Sequence, residues 1–211
     1  MRLQTEYVAF PTREVRSRYV ARRFRQYLTG TVLDVGCYEA PLRSLLPEVQ
    51  YTGLDIAGAP DVWANLEQLE RLPFDDGAFD CVLCIHVLEH LNNLHQMFNE
   101  LVRVASRYLI IGLPNCWRGA RRPVARGLGR FRHYGLGLDP PPDRHKWFFN
   151  VSDARAFLDG QAVRADLLIK ELFVTDSPRS ATLRWFRHMR YPGIRYANRY
   201  SNTIWVVYEK S

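Results

Sequence analysis

The chain is predicted to be an α/β protein with a doubly wound sheet, on three observations. Short apolar segments bounded by turn residues alternate with helical patterns, as buried parallel strands and their crossovers do. The first such segment, Thr31-Val32-Leu33-Asp34-Val35-Gly36, ends in Asp-x-Gly and a turn. The next, Tyr51-Thr52-Gly53-Leu54-Asp55, ends in a carboxylate 19 residues after Gly36. Strand carboxyl ends form the crevice in which open parallel sheets bind nucleotide-like ligands. A carboxylate there accepts hydrogen bonds from both hydroxyls of a ribose, so a nucleoside-containing cofactor is expected.

The elements follow in order. Residues 13 to 28 carry Val20, Phe24, Tyr27 and Leu28 at helical spacing, with Arg18, Arg22 and Arg25 on another face. Strands are predicted at 31–36, 50–55, 79–85 and 107–112, short helices near 41–46 and 62–69, and a clear helix at 92–104. Asn150 is read as the cap of a helix ending near Leu158, stopped by Gly160. Leu167 to Val174 and Asn202 to Tyr208 read as the last two strands.

The turn narrows the cofactor. A dinucleotide site needs several glycines so that backbone can approach a pyrophosphate. Here Gly36-Cys37-Tyr38-Glu39-Ala40-Pro41 holds one glycine and an acid. Glu39 beside a helix N-terminus would compete with phosphate for the same donors. A phosphate-free cofactor with a ribose and a cationic head fits better.

Further segments join these in a fixed order: Asn65-Leu66-Glu67 with Leu72-Pro73-Phe74, then Phe79-Asp80-Cys81-Val82-Leu83-Cys84, Val87-Leu88-Glu89-His90-Leu91, Glu100-Leu101-Val102-Arg103-Val104 and Leu113-Pro114-Asn115. With Val32 to Cys37 and Gly53-Leu54-Asp55, they cover about residues 30 to 115. The ordered set resembles the class I S-adenosylmethionine-dependent methyltransferases of the small-molecule type. The resemblance implies a Rossmann-like sheet of about seven strands, the last antiparallel. It implies S-adenosylmethionine bound by Asp34, Gly36, Cys37, Asp55, Ile56, Asn65, Leu66, Ile85 and His86. Asp55 would take the ribose, Gly36 and Cys37 the methionine side, and Asn65 and Leu66 the adenine border. The chain departs from the family at Tyr38-Glu39-Ala40, where a Gly-x-Gly run is usual. Either Tyr38 turns outward or the pocket is altered, which keeps a non-catalytic cofactor-binding subunit open as an alternative.

One domain over 1–211 is expected: a helical segment 1–29, a cofactor core 30–115, a substrate-lid insertion 116–149, and a helix with a strand pair over 150–211. The 211 residues allow one sizeable core. No apolar run reaches membrane-spanning length and Met1 to Glu6 has no signal-peptide pattern, so a cytoplasmic location is expected. Cys37, Cys81, Cys84 and Cys116 lack disulfide-framework spacing. Cys81 and Cys84 lie three apart on a strand, which turns them to opposite faces. His86-Val87-Leu88-Glu89-His90 matches a zinc-peptidase pattern, but it straddles a strand-to-helix junction where one helical face cannot present both histidines.

The insertion opens at the strands' carboxyl edge. Arg118, Arg121, Arg122, Arg126, Arg130 and Arg132 precede any acid, with Trp117, Phe131 and Tyr134 interleaved. Pro140-Pro141-Pro142 then stiffens the approach to Asp143-Arg144-His145-Lys146-Trp147. Methyl transfer to oxygen needs the nucleophile held against the methyl group and a base for its proton. His145 is the leading candidate base, with Asp143 expected to raise its pKa, His90 the second, and His133 the third. Trp117, Arg121, Arg122, Tyr134, Asp143 and Trp147 are the candidate acceptor-binding residues. Asp139, Asp143 and His145 offer ligands for a divalent metal but fall short of a site.

The net charge of +7 comes from 26 arginines and three lysines against 22 acids. Arginines cluster at 13–25, 118–132 and 179–199. Interleaved with aromatics, they suit an anionic or lipid-linked small acceptor, or RNA. No RNA-binding module or Asn/Asp-Pro-Pro-Tyr motif accompanies them, so RNA methylation stays the alternative. The expected activity is O-methylation of a hydroxyl on a small molecule, a saccharide or glycosylated metabolite.

Overall fold

The computed structural model describes residues 3–128, 133–139 and 143–210. Of the residues singled out above, Arg130, Phe131, Arg132 and Pro140 to Pro142 lie outside that set. Eight strands form one sheet among the described residues: β1 (Gln4–Tyr7), β2 (Thr31–Val35), β3 (Gln50–Asp55), β4 (Val62–Trp63), β5 (Phe79–Ile85), β6 (Ala105–Pro114), β7 (Leu167–Asp176) and β8 (Thr203–Lys210). Their order is β1-β7-β8-β6-β5-β2-β3-β4. β8 runs antiparallel to β6 and β7, and every other pairing is parallel.

Alternation along the strands sorts the core into two layers. Leu33, Val35, Val82 and Cys84 face a layer covered by α3 (Leu94–Val104) and α5 (Val151–Arg164). Val32, Cys81 and Leu83 face α1 (Arg13–Arg23) and α2 (Pro41–Leu45). Cys81 and Cys84 therefore point to opposite faces, as the strand period requires. Trp205 is fully buried on the α1 side, with the Phe24 ring centroid 5.6 Å away and Phe173 stacked at 6.4 Å. Arg23 pairs with Glu6 on β1 and Glu171 on β7, tying α1 to that edge of the sheet.

Four expectations change. No helix forms at 62–69: Val62 and Trp63 add a two-residue edge strand to β3, and turns follow. The strand count rises from about seven to eight because β4 and the N-terminal β1 both join edges. Asn150 does cap α5, its side chain accepting from Ser152 and Asp153 N–H groups, but the helix runs through Gly160 to Arg164. Gln161 and Ala162 are buried beyond that glycine, so packing outweighs its roughly 1 kcal/mol propensity cost. Two helices join the last strands, α6 (Ala181–Arg190) and α7 (Ile194–Tyr200). Within the insertion, α4 (Cys116–Ala125) starts directly after β6.

Candidate active site

The expected cofactor residues gather at the tips of β2 and β3. Gly36 has φ 80° and its N–H donates to Leu54 O at 2.8 Å. A Cβ at this position would sit 2.1 Å from Val87 Cγ2, so only glycine passes here. Tyr38 and Ala40 take the left-handed region at φ 53° and 47°, which glycine would otherwise occupy. The Asp55 carboxylate holds this turn: Oδ2 accepts from Tyr38 N–H at 2.7 Å, and Oδ1 from Ile56 N–H at 2.6 Å and Ala57 N–H at 3.2 Å. The Tyr38 ring turns outward, 42% exposed, with the Arg13 guanidinium 5.0 Å from its centroid. Of the two expectations for this turn, the outward one is met.

Beneath the turn, Asp34 is buried and accepts from the Tyr51 hydroxyl at 2.8 Å. Burial lifts its carboxyl to about 6 despite the nearby cations of Arg13 and Arg16. Burial likewise pushes the Cys37 thiol up to about 12. Arg13 and Arg16 line a small pocket with Asp34, Gly36, Cys37 and Ile85. Arg16 donates to His86 Nδ1 at 3.0 Å, so the other ring nitrogen carries the proton and donates to Thr203 Oγ1 at 3.0 Å. Burial, followed by the Arg16 charge, holds this imidazole well below its usual pKa.

The same two arginines border a cleft of about 1000 Å³ at the carboxyl edge of the sheet. Its other walls include Phe10 to Thr12, the start of α4, the strand tip at Asn202 and Thr203, and His133, Tyr134, Asp143 and His145. Glu89 and His90 reach it from a 3₁₀ turn, Leu88–His90, that follows β5. Glu89 is 1% exposed, its Oε2 has no hydrogen-bond partner, and burial raises its carboxyl to about 8. Its main-chain oxygen accepts from the N–H of Lys146 at 2.8 Å, and Lys146 Nζ reaches Glu67 at 2.7 Å. These bonds clamp the end of the insertion against the cofactor core.

Three imidazoles gather over Glu89. His133 stacks on His145 at 4.2 Å between centroids, and His90 meets His145 edge-on at 4.7 Å. His145 Nδ1 is 2.9 Å from the Tyr134 hydroxyl, which itself donates to Trp147 O at 3.1 Å. Asp143 does act to raise the His145 pKa, as expected, but other causes outweigh it. Burial, followed by the His133 and His90 charges, lowers the His145 pKa to about 3, and Asp143 offsets little of that. Asp143 pairs instead with His133, its Oδ2 3.3 Å from Nδ1 and its main-chain oxygen at 3.1 Å. Burial also lowers the pKa of His90.

A family profile described as a methyltransferase domain matches residues 33–108, which span β2, the Asp55 turn, Glu89 and most of β6. Residues 33–108 thus match a methyltransferase domain. The domain is similar to malonyl-[acyl-carrier protein] O-methyltransferase of Legionella pneumophila, at 29% identity over 47% of this chain and 41% of that protein. The match spans less than half the length of each curated relative found. In fold, a methyltransferase from Archaeoglobus fulgidus superposes with a TM-score of 0.61 at 16% identity, covering 95% of this chain and 96% of that one. Magnesium protoporphyrin IX methyltransferase of Synechocystis, solved with S-adenosylhomocysteine, gives 0.55 at 19% identity, covering 94% and 83%.

Within this methyltransferase domain the anticipated residues separate. Asp34, Gly36, Cys37 and Ile85 share the small pocket, with Asp55 on the other side of the Gly36 turn and Ile56 exposed beside it. Asn65 caps its own turn by accepting from Glu67 N–H at 3.1 Å, and Leu66 is buried behind it. His86 lines the large cleft, as do His90, Tyr134, Asp143 and His145. Trp117, Arg121, Arg122 and Trp147 do not line it. Trp147 donates to Leu91 O at 2.7 Å, Arg121 lies over the Tyr200 ring at 5.6 Å, and Trp117 and Arg122 are on the outer surface. Of the metal ligands considered from sequence, only His145 joins a donor cluster, and its companions there are Glu89 and His90. Arg13 and Arg16 were not singled out for the cofactor side. Their i, i+3 spacing on a helix was the available signal.

Proposed function

We propose that the chain is an S-adenosylmethionine-dependent O-methyltransferase whose acceptor is a hydroxyl of a small molecule, a saccharide or glycosylated metabolite. The observation that carries this reading is the imidazole and carboxylate cluster lining a polar cleft next to the Gly36 turn. Ser177, Asn202, Thr203 and Tyr134 line the same cleft, which gives a polyhydroxy compound several hydrogen-bond partners.

The residues present fit the cofactor. Asp55 would hold the ribose hydroxyls, Arg16 and Arg13 the amino-acid carboxylate, and buried Asp34 the ammonium through its charge. When bound, the cofactor supplies an electrophilic methyl group on a sulfonium. The cleft residues orient an acceptor hydroxyl in line with it, where positioning supplies most of the gain. His145 and His90, both kept neutral by burial, offer lone pairs to the acceptor. Asp143 fixes a proton on His133 Nδ1, which leaves Nε2 to receive the hydroxyl's proton, so the base role moves from His145 to His133. Segment 116–149 acts as the substrate lid, and Arg118 on the cleft wall faces any anionic group of the acceptor. Among the described residues no helix is long and apolar enough to cross a membrane.

The test supplies the purified protein with S-adenosylmethionine and a panel of monosaccharides, glycosides, amines and RNA. S-adenosylhomocysteine release, with NMR of the product, identifies the methylated atom. Methyl ether formation on a hydroxylated small molecule is expected. Transfer only to RNA or to nitrogen would overturn the reading. Cofactor binding with no transfer to any acceptor would favour the non-catalytic subunit.

A further inference from the structure

The cleft holds a donor set of one buried carboxylate and two imidazoles. We propose that Glu89, His90 and His145 bind one divalent transition-metal ion. One ligand atom from each of the three lies within 4.8 Å of the others. Glu89 is 1% exposed, yet Oε2 has no partner and the residue faces the cleft. A buried carboxylate oxygen without a partner calls for a cation or a donor.

The imidazole tautomers point the same way. The Tyr134 hydroxyl lies 3.1 Å from Trp147 O, which can only accept, and with its proton there it accepts from His145 Nδ1–H at 2.9 Å. His90 Nδ1 lies 3.2 Å from Arg144 O, a carbonyl that can only accept. Both rings therefore carry their proton on Nδ1 and present the Nε2 lone pair. His90 Nε2 is 3.9 Å from Glu89 Oε1. Metal-binding histidines are held in this way, with the second ring nitrogen donating to a carbonyl or hydroxyl. The main-chain bond from Lys146 to Glu89 O keeps the three groups together before any ion arrives.

Two imidazoles and one carboxylate with the remaining positions open suit Mn²⁺, Fe²⁺, Co²⁺ or Zn²⁺, and suit Mg²⁺ poorly, since it prefers oxygen ligands. All three donor residues line the cleft, where two adjacent hydroxyls of a saccharide would complete the coordination of the ion. This role rests on the O-methylation reading; the binding itself does not. A hydroxyl on the ion is more acidic, so its O–H bond breaks with the proton going to His133. Its oxygen forms a bond to the methyl carbon as the carbon–sulfur bond breaks, and the sulfonium leaves as a neutral thioether.

The test is calorimetric titration of the chelator-treated full chain with Mn²⁺, Zn²⁺ and Mg²⁺, with EPR of free Mn²⁺ as a second readout. One equivalent of Mn²⁺ or Zn²⁺ should bind, with Mg²⁺ much weaker. Glu89→Gln, His90→Gln and His145→Gln should each weaken binding at least about tenfold, while His95→Gln, on the exposed side of α3, should not. Thermal melts establish that each variant folds, and the two histidine variants carry the test if Glu89→Gln does not. Absence of stoichiometric binding, or binding unchanged in every folded ligand variant, overturns the proposal. If hydroxyl methylation proceeds equally well without an ion, the ion's role in catalysis fails and the proposed function stands, while the titration alone decides the binding site. If the ion binds and no hydroxyl is methylated, the binding site stands and the proposed function fails.

Discussion

His145 Nδ1 lies 2.9 Å from the Tyr134 hydroxyl, which lies 3.1 Å from the main-chain oxygen of Trp147. These contacts fix which nitrogen of His145 faces the cleft. Tyr134→Phe removes the acceptor and keeps the ring. Turnover should fall about 10- to 100-fold, the usual cost of losing a group that orients an imidazole. Affinity for S-adenosylmethionine, measured by calorimetry, should not change. Unchanged turnover would mean that the backbone alone sets the ring.

Asp55 ties the Tyr38 turn, and the proposed function also gives it the ribose hydroxyls. Asp55→Ala should cost roughly 2–4 kcal/mol of cofactor affinity through lost charge-assisted hydrogen bonds. That is about 30- to 1000-fold in Kd. Parent-like binding of S-adenosylmethionine by this variant would show that the pocket is misassigned.

Tyr38 adopts φ 53° with its ring outside the pocket. Glycine at this position relieves a left-handed conformation worth roughly 1–2 kcal/mol and gives up the Arg13 contact, worth about 0.5–1 kcal/mol. Tyr38→Gly should therefore shift stability by no more than about 1 kcal/mol in a denaturant melt, with cofactor affinity changed by less than about tenfold. A far larger gain in affinity would mean that the native side chain obstructs the cofactor.

Asp34 predicts a pH dependence with an unusual sign. Its folded carboxyl is raised to about 6, above the unfolded value, so the native state binds more protons in between. Stability should fall as pH rises from about 4 to about 6, by an amount on the order of 3 kcal/mol, and then level off. Asp34→Asn keeps an acceptor for Tyr51 and should flatten that slope and raise the melting temperature at pH 7. A buried carboxylate that lowers stability at neutral pH marks a functional position, so the same variant should lose cofactor affinity. If stability at pH 5 and pH 7 is equal in the parent, Asp34 does not titrate in this window.

Much of the cofactor side was legible because it is local. The Asp-x-Gly turn and the strand-tip carboxylate at Asp55 are separated by one strand, helix, strand unit, and their placement side by side follows from sequence spacing. The core strands, the α1 and α3 faces and the Asn150 cap were equally readable, since periodicity and capping act within a few residues. Val62-Trp63 and Gly160 were misread because sheet-edge pairing and core packing overrode local preference.

What the sequence by itself determined was the doubly wound α/β core, its class I methyltransferase pattern and the Gly36–Asp55 crevice. What only the tertiary structure decided was the composition of the large cleft. Arg13 and Arg16 come from a helix before the first core strand, Glu89 and His90 from a turn after β5, and His133 and His145 from the insertion. No spacing rule links these segments, and Asp143 sits two residues from His145 yet pairs with His133 ten residues away. The pKa values followed from the same assembly: Glu89 and His145 are neutral because neighbouring segments bury them, and burial belongs to the packed chain, not to any stretch of it.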